Sequence, residues 1–290
     1  MATLLEFRRR IRSVKNTQQI TRAMKFVSAA RLRRAQEAAL AARPFAKELL
    51  RVLRSTMARI ESPEHPLLAK RPEERALVLV LAGERGLAGA FNSNVLKEAF
   101  KFFRGRQGKK TAVIAVGKKC RDALRKAGFE FAGEYVNVLA RVEFHVAREI
   151  ASLVAALYCE EKVDAVYAIF SEFKSVLAPT LVTEKLLPLE RIEEETAGET
   201  AATQVDYIYE QPPQDILNRL LPRYVETQVL RTMLESSAAE HAARMTAMEA
   251  ATKNAGEVID ALTLHMNKVR QAAITKEIIE IVSGAAAQEE

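Results

Sequence analysis

The sequence predicts a composite fold: an antiparallel coiled coil of long N- and C-terminal helices, with a Rossmann-like α/β domain inserted between them. Three observations carry this. Residues 1–60 hold no glycine, and their first proline is Pro44. Nine of the eleven glycines lie from Gly83 to Gly198, among short apolar runs. From Pro213 to Ser283 only Pro222 and Gly256 oppose a helix. The boundaries that follow are 1–60 for the N-terminal helix, 73–210 for the α/β domain and 213–290 for the C-terminal helix.

In the first segment Leu4, Phe7, Ile11 and Val14 step by three, four and three, the spacing of one helical face. Ile20, Met24 and Val27 continue an apolar stripe on a shifted phase, so the seam is expected to stutter. Alanines from Ala29 to Ala42 allow close helix approach. One helix is expected to Pro44 and another from Phe45 to Ile60, bent at the proline. Ser62-Pro63-Glu64-His65-Pro66 and Arg71-Pro72 then read as a connector.

Ala76 to Ala82 is a continuous apolar run bounded by turn residues, as a buried parallel strand reads. Gly83 to Gly89 forms a tight turn, and Phe91 to Phe103 a helix. Thr111 to Val116 is a second strand and Lys118 to Lys126 a short helix stopped at Gly128. Val142 to Glu161 is a longer helix, Val163 to Phe170 a third strand and Thr180 to Leu187 a fourth. Strands alternating with helices give a doubly wound sheet with right-handed crossovers. The polar stretch Glu193 to Thr200 reads as a mobile loop, and Gln204 to Tyr209 as a last edge strand.

In the C-terminal segment Met248, Thr252, Ala255, Ile259, Leu262, Met266, Val269 and Ala273 recur at alternating steps of four and three. That is a heptad seam, and it requires a partner helix. A helix over this segment would span on the order of 100 Å. The N-terminal segment is the available partner. It carries fifteen Lys or Arg against three Glu, a net of +12, while residues 214–290 carry eight against eleven, a net of −3. The chain leaves along one rod and returns along the other, so the two pair antiparallel. The C-terminal helix is the longer by roughly 15–20 residues at its tip. Met266 to Ala286 therefore stands alone and exposes apolar side chains, which calls for a surrounding protein.

Composition narrows the functional classes. The hydrophobic share is 49%, enough for a true core, while aromatics are 6% and Trp is absent. The net charge of +7 is compatible with nucleic acid, an acidic membrane surface or an acidic protein. Cys120 and Cys159 match no metal spacing and read as reduced thiols of a cytosolic protein. His65, His145, His241 and His265 form no cluster. No apolar run reaches the roughly 20 residues of a membrane span, and no secretory leader precedes Arg8-Arg9-Arg10.

The turn Gly83-Glu84-Arg85-Gly86-Leu87-Ala88-Gly89 sits where a phosphate-binding turn would sit. It lacks the G-x-G-x-x-G order and a Lys followed by Ser or Thr, so tight packing explains it more simply. Asn92 or Asn94 is expected to cap the following helix. No catalytic constellation, cofactor site or metal site is expected. Arg8, Arg12, Lys15, Arg22 and Lys25 could meet phosphate backbones or an acidic protein loop. Without interleaved aromatics they read first as a solvated coiled-coil face. A nucleotide-binding α/β protein and a coiled-coil nucleic-acid binder thus remain the alternatives on residues alone.

Longer motifs add a resemblance. Ile11-Arg12-Ser13-Val14-Lys15-Asn16-Thr17-Gln18-Gln19-Ile20-Thr21-Arg22-Ala23-Met24-Lys25 resembles the N-terminal motif of the γ subunits of F-type ATP synthases. Gly86-Leu87 through Asn94 is similar to that family's central turn. Arg244 to Met248, Ala251 to Ala255, Asn267 to Ile278 and Glu280 to Ala285 are similar to its C-terminal half. The chain departs from the family at Gly83-Glu84, where Ser/Thr-Asp is frequent, at Ala88, where Cys is frequent, and at His265, where Tyr is common. The cysteine-bearing insertion of chloroplast forms is not apparent, which favours a bacterial form.

The resemblance implies a non-catalytic rotor shaft, peripheral to the cytoplasmic face of the inner membrane and coupling proton-driven rotation to ATP synthesis. Its implied partners are the α and β subunits of the catalytic ring, the ε subunit and the membrane c-ring, with no nucleic acid and no insertion into the bilayer. It also implies ring contacts at Met24, Lys25, Arg270, Gln271, Thr275, Glu277, Ile278 and Val282. Met24 and Lys25 would stand level with acidic β-subunit loops.

Overall fold

In a computed structural model, residues 4–60, 64–174, 180–189 and 211–286 are described. The expected edge strand at Gln204–Tyr209 and the loop at Glu193–Thr200 lie outside them. Helix α1 spans Leu4–Met57 without a break at Pro44. The proline lacks the N–H that would bond the carbonyl of Leu40. Leu40 and Pro44 are both exposed, so that carbonyl faces water at little cost. Beyond it, burial of Leu49 and Leu53 holds the helix in place.

A 3-10 turn over Pro66–Leu68 leads into strand β1, Arg75–Leu81. There follow α2 (Phe91–Gly105), β2 (Lys110–Val116), α3 (Lys118–Lys126), β3 (Phe131–Tyr135), α4 (Phe144–Cys159), β4 (Ala165–Glu172), β5 (Thr180–Leu187) and α5 (Pro213–Ala286). The strand order is β3-β2-β1-β4-β5. The first four are mutually parallel, with Leu79 opposite Ile114 on one side and Ala168 on the other. β5 runs antiparallel to β4, with Val182 opposite Phe170. Two features of the sheet differ from the sequence expectation. β3 is an additional strand, and the last strand reverses direction.

The chain divides into two compact units, residues 28–244 and residues 1–27 with 245–290. In the larger unit the sheet is buried on both faces, as the uninterrupted apolar β1 requires. Leu77, Leu79 and Leu81 join α4, the end of α1 and the start of α5 around Tyr158, Leu53, Leu217 and Val229. Val78 and Val80 point the other way, onto Val95, Ala99 and Phe103 of α2 and Leu124 of α3. This alternation is the period of two that a strand imposes. Each fully buried Leu or Val of β1 contributes roughly 1.5–3 kcal/mol of transfer free energy. At the start of the sheet Asp164 accepts from the Arg75 backbone N–H at 2.7 Å and from its guanidinium at 2.7 Å. Arg75 holds that carboxyl below its ordinary pKa.

In the smaller unit α1 and α5 run antiparallel. Phe7 packs its ring tilted against His265 at 5.0 Å between centroids, Gln18 donates to the Thr252 carbonyl at 3.3 Å, and Lys25 meets Glu249 at 2.6 Å. As numbering rises on one helix it falls on the other. The seam on α5 is as expected: Thr252, Ala255, Ile259, Leu262, Met266, Val269 and Ala273 are partly covered and Met248 is buried. The seam on α1 is not. Covered positions run Phe7, Ile11, Val14, Gln18, Thr21 and Met24 without a stutter. Ile20 and Val27 are exposed, 60% and 52%. The polar pair Gln18 and Thr21 occupies the seam because Thr252 satisfies both: its hydroxyl is 2.8 Å from that of Thr21. Such a polar layer fixes register at some cost in stability. Opposite it, a Cβ at Gly256 would come within 3.2 Å of the Gln18 amide.

Candidate functional site

Two places in the molecule carry unusual chemistry: the outer surface of the smaller unit, and a buried polar node in the larger one.

The outer surface of the smaller unit is apolar well beyond what a solvated coiled coil needs. On α5, partial cover ends at Ala273, and every residue from Ile274 to Ser283 is exposed. Ile274, Ile278, Ile279, Ile281 and Val282 are 49–71% exposed. Among them Lys276 and Glu280 pair at i,i+4, and the Thr275 hydroxyl returns to the Gln271 carbonyl. Leu5, Ile20, Phe26 and Val27 on α1, with Val258 and Leu264 on α5, extend the apolar exposure. Exposed apolar area on this scale marks an interaction surface.

The residues singled out from sequence fall into four groups. Ile278 and Val282 are 55% and 62% exposed and belong to the bare apolar end. Arg270, Gln271, Thr275 and Glu277 are exposed on the same helix. Met24 is partly covered in the seam. Lys25 is engaged within the chain, its Nζ 2.6 Å from Glu249. With those side chains 32% and 59% exposed, water screens the pair, and it contributes about 0–1 kcal/mol. Ile20, Phe26 and Val27 were not selected as surface residues by sequence reasoning. The signal was present: Gln18 and Thr21 complete the four-three spacing from Phe7, which rotates Ile20 and Val27 outward.

The polar node forms at the turn after β1, where the strand order reverses and open α/β sheets usually bind ligands. Here the crevice holds side chains of the chain itself. Asn92 does not cap α2; Ala90 occupies the cap position, with no side-chain cap bond. The Asn92 carbonyl oxygen accepts from the Gly83 N–H at 2.8 Å, and its amide donates to the Arg85 carbonyl at 3.2 Å. The buried Glu84 accepts from the N–H groups of Lys118 at 3.0 Å and Val138 at 3.1 Å, tying three loops together.

From α5, Glu240 lies against Gly83 so closely that a Cβ there would sit 2.8 Å from its carboxyl. Arg244 donates to Glu240, approaches the Gly86 carbonyl at 3.4 Å, and contacts His241 Nδ1 at 3.3 Å. Burial raises the pKa of Glu240 against the pull of Arg244. Burial, with Arg244 and Arg31 nearby, lowers His241 to about 4 and keeps it neutral. The node binds α5 to the turn and leaves two carboxylates where a phosphate would have to sit. Sequence reasoning did not single out Glu240 and Arg244 as a buried pair. The clue to their burial was the unbroken small-residue run Ser236-Ser237-Ala238-Ala239 just before them.

Among the described residues no group of three or more His, Cys, Asp or Glu is placed to hold a metal ion, and no helix is long and apolar enough to cross a membrane.

Comparison with known proteins follows the same direction. The family model described as ATP synthase matches residues 3–288. An ATP synthase gamma chain of Solibacter usitatus is 50% identical over 100% of both chains. One from Pelotomaculum thermopropionicum is 48% identical, again over 100% of both. Among solved structures, a chain of the Euglena gracilis mitochondrial ATP synthase OSCP/F1/c-ring assembly has the same fold, with a TM-score of 0.68 at 19% identity, covering 98% of this chain and 94% of that one. A chain of the Tetrahymena thermophila mitochondrial ATP synthase central stalk/c-ring scores 0.60 at 23% identity, over 80% of this chain and 99% of that one.

Proposed function

We infer that this chain, which belongs to the ATP synthase gamma-chain family, is the central rotor shaft of an F-type ATP synthase. The carrying observation is the change along α5, from a seam covered up to Ala273 to bare isoleucines and valine beyond it. A helix end of that kind suits enclosure by a sleeve of other subunits, for which the α and β subunits of the catalytic ring are the candidates. Met24, Lys25, Arg270, Gln271, Thr275, Glu277, Ile278 and Val282 are the residues we assign to that contact. The ε subunit and the membrane c-ring engage the shaft at its other end.

In this reading residues 1–60 and 213–290 form the shaft and 73–210 its body, on the cytoplasmic face of the inner membrane and outside the bilayer. Proton flow turns the c-ring and the shaft with it. The shaft catalyses no step. A turning surface presents a different face to each β subunit, and only such differential contact can shift a subunit between conformations. Weak, screened pairs suit this surface, because each must break at every step. Co-expression with α and β subunits tests the reading: a complex that retains this chain is expected. Assembly of α with β from which this chain never co-elutes would overturn it.

A further inference from the structure

We propose that the larger unit carries a binding groove for a phosphate-type oxyanion, formed by Arg31 and Arg34 of α1, Arg141 of the loop before α4 and His241 of α5. The four line one cavity of about 400 Å³, floored by Ala35, Ala38, Leu234 and Ser237, and no carboxylate lines it. Each cation presents its charge. Arg31 and Arg34 are exposed residues whose guanidinium groups can reach into the groove. Arg141 lies 3.5 Å from Glu143, with its own side chain 89% exposed, a loose pair that an incoming anion can replace. Glu240, the carboxylate adjacent to His241, is already engaged by Arg244.

His241 supplies the directional donor. Its residue is only 4% exposed, and Arg244 Nη1 sits 3.3 Å from Nδ1. A guanidinium can only donate, so Nδ1 accepts and the ring proton resides on Nε2. Among the described residues Nε2 has no hydrogen-bond partner given by the structure, while Ser237 is turned to the Leu139 carbonyl at 2.9 Å. Burial holds His241 neutral, and the charges of Arg244 and Arg31 that reinforce it also attract an anion. Arginine forks match tetrahedral oxyanions in bidentate fashion, which favours a phosphate group over a monatomic ion. The groove is separate from the turn after β1, whose crevice is filled.

The full-length chain titrated calorimetrically with inorganic pyrophosphate tests the assignment. One saturable event per chain is expected, weakened at least tenfold by Arg34→Ala and by Arg141→Ala, with thermal midpoints unchanged. Lys110→Ala, which removes an exposed cation outside the groove, should leave the affinity within twofold. Equal weakening by Lys110→Ala would reduce the effect to net charge and overturn the site. So would the absence of saturation, or capture of an oligoglutamate peptide but not pyrophosphate, which would make the groove a protein contact.

Discussion

Replacing Arg244 with methionine removes the cation from the polar node while keeping much of its length. Glu240 would then remain buried at 4% exposure with no cation, beside a neutral His241. Deleting one partner of a buried pair costs about 3–5 kcal/mol, and the 8% exposure of Arg244 gives water little chance to compensate. At the lower end, about 3 kcal/mol, the unfolding midpoint of a unit of this size falls by roughly 6–12 °C. The loss depends on pH. Burial already raises the Glu240 pKa, and Arg244 opposes that rise. Without Arg244 the carboxyl binds its proton still more tightly in the folded state than in the unfolded one. Its cost is therefore full above the raised pKa and fades as pH falls through it. Thermal unfolding followed by circular dichroism should show a larger deficit at about pH 7.5 than at about pH 5, and Glu240→Gln in the Arg244→Met background should recover at least half of it. A variant as stable as the parent, or a deficit that grows on acidification, would refute the reasoning.

Four further outcomes are expected. Gly117 has φ +103°, and a Cβ there would lie 1.9 Å from the Ala82 carbonyl oxygen, whereas one at Gly86 meets nothing within 4 Å. Gly117→Ala should therefore lower the melting temperature far more than Gly86→Ala, by at least about 2 kcal/mol equivalent. Ile278→Asp with Ile281→Asp should leave the midpoint unchanged, since both side chains are exposed, yet release the chain from a co-expressed α/β complex. Cys120 is buried and its pKa is pushed up to about 12, while Cys159 is exposed, so a thiol reagent should find one fast group in the native chain and two after unfolding. Cysteines at Ile11 and Leu262, between the Phe7–His265 and Gln18–Thr252 contacts, should form an intramolecular disulfide on mild oxidation; preferential coupling of Ile11 to the outward-facing Leu264 would contradict the seam.

The parts of the fold legible in the sequence were those where one physical requirement acts alone. β1 had to be apolar on both faces, and the run from Ala76 to Ala82 says so without ambiguity. The seam on α5 likewise follows from Met248 to Ala273. β3 was not legible because none of its five residues is buried, Glu134 is exposed and Gly133 interrupts it, so it has neither a clean alternation nor a continuous run. The reversed direction of β5 leaves no mark, because alternation reads the same both ways. Pro44 misled in a different way, whereas the helix expected through Pro222 is present. The residues four before them, Leu40 and Asn218, are exposed, so each missing bond is replaced by water and the helices continue. At the candidate surface, sequence identified the bare end of α5. It missed Ile20, Phe26 and Val27 because apolar residues were assumed to define the seam, which polar Gln18 and Thr21 in fact occupy.

The surroundings of α5 change along its length. From Ser236 to Ala242 it is enclosed on all sides, from Met248 to Ala273 it is covered on one face, and from Ile274 to Ser283 it is bare. The bare turns are rich in β-branched residues, Ile274, Thr275, Ile278, Ile279, Ile281 and Val282, which are weaker helix formers than the alanines behind them. A helix of about ten such residues is marginal in water without tertiary support. Its backbone amides should thus exchange with solvent the fastest in α5, and protection should climb stepwise toward Ser236. Order in the final turns is then conditional: it is completed by whatever encloses them, and part of the enclosing contact energy is spent on keeping them wound.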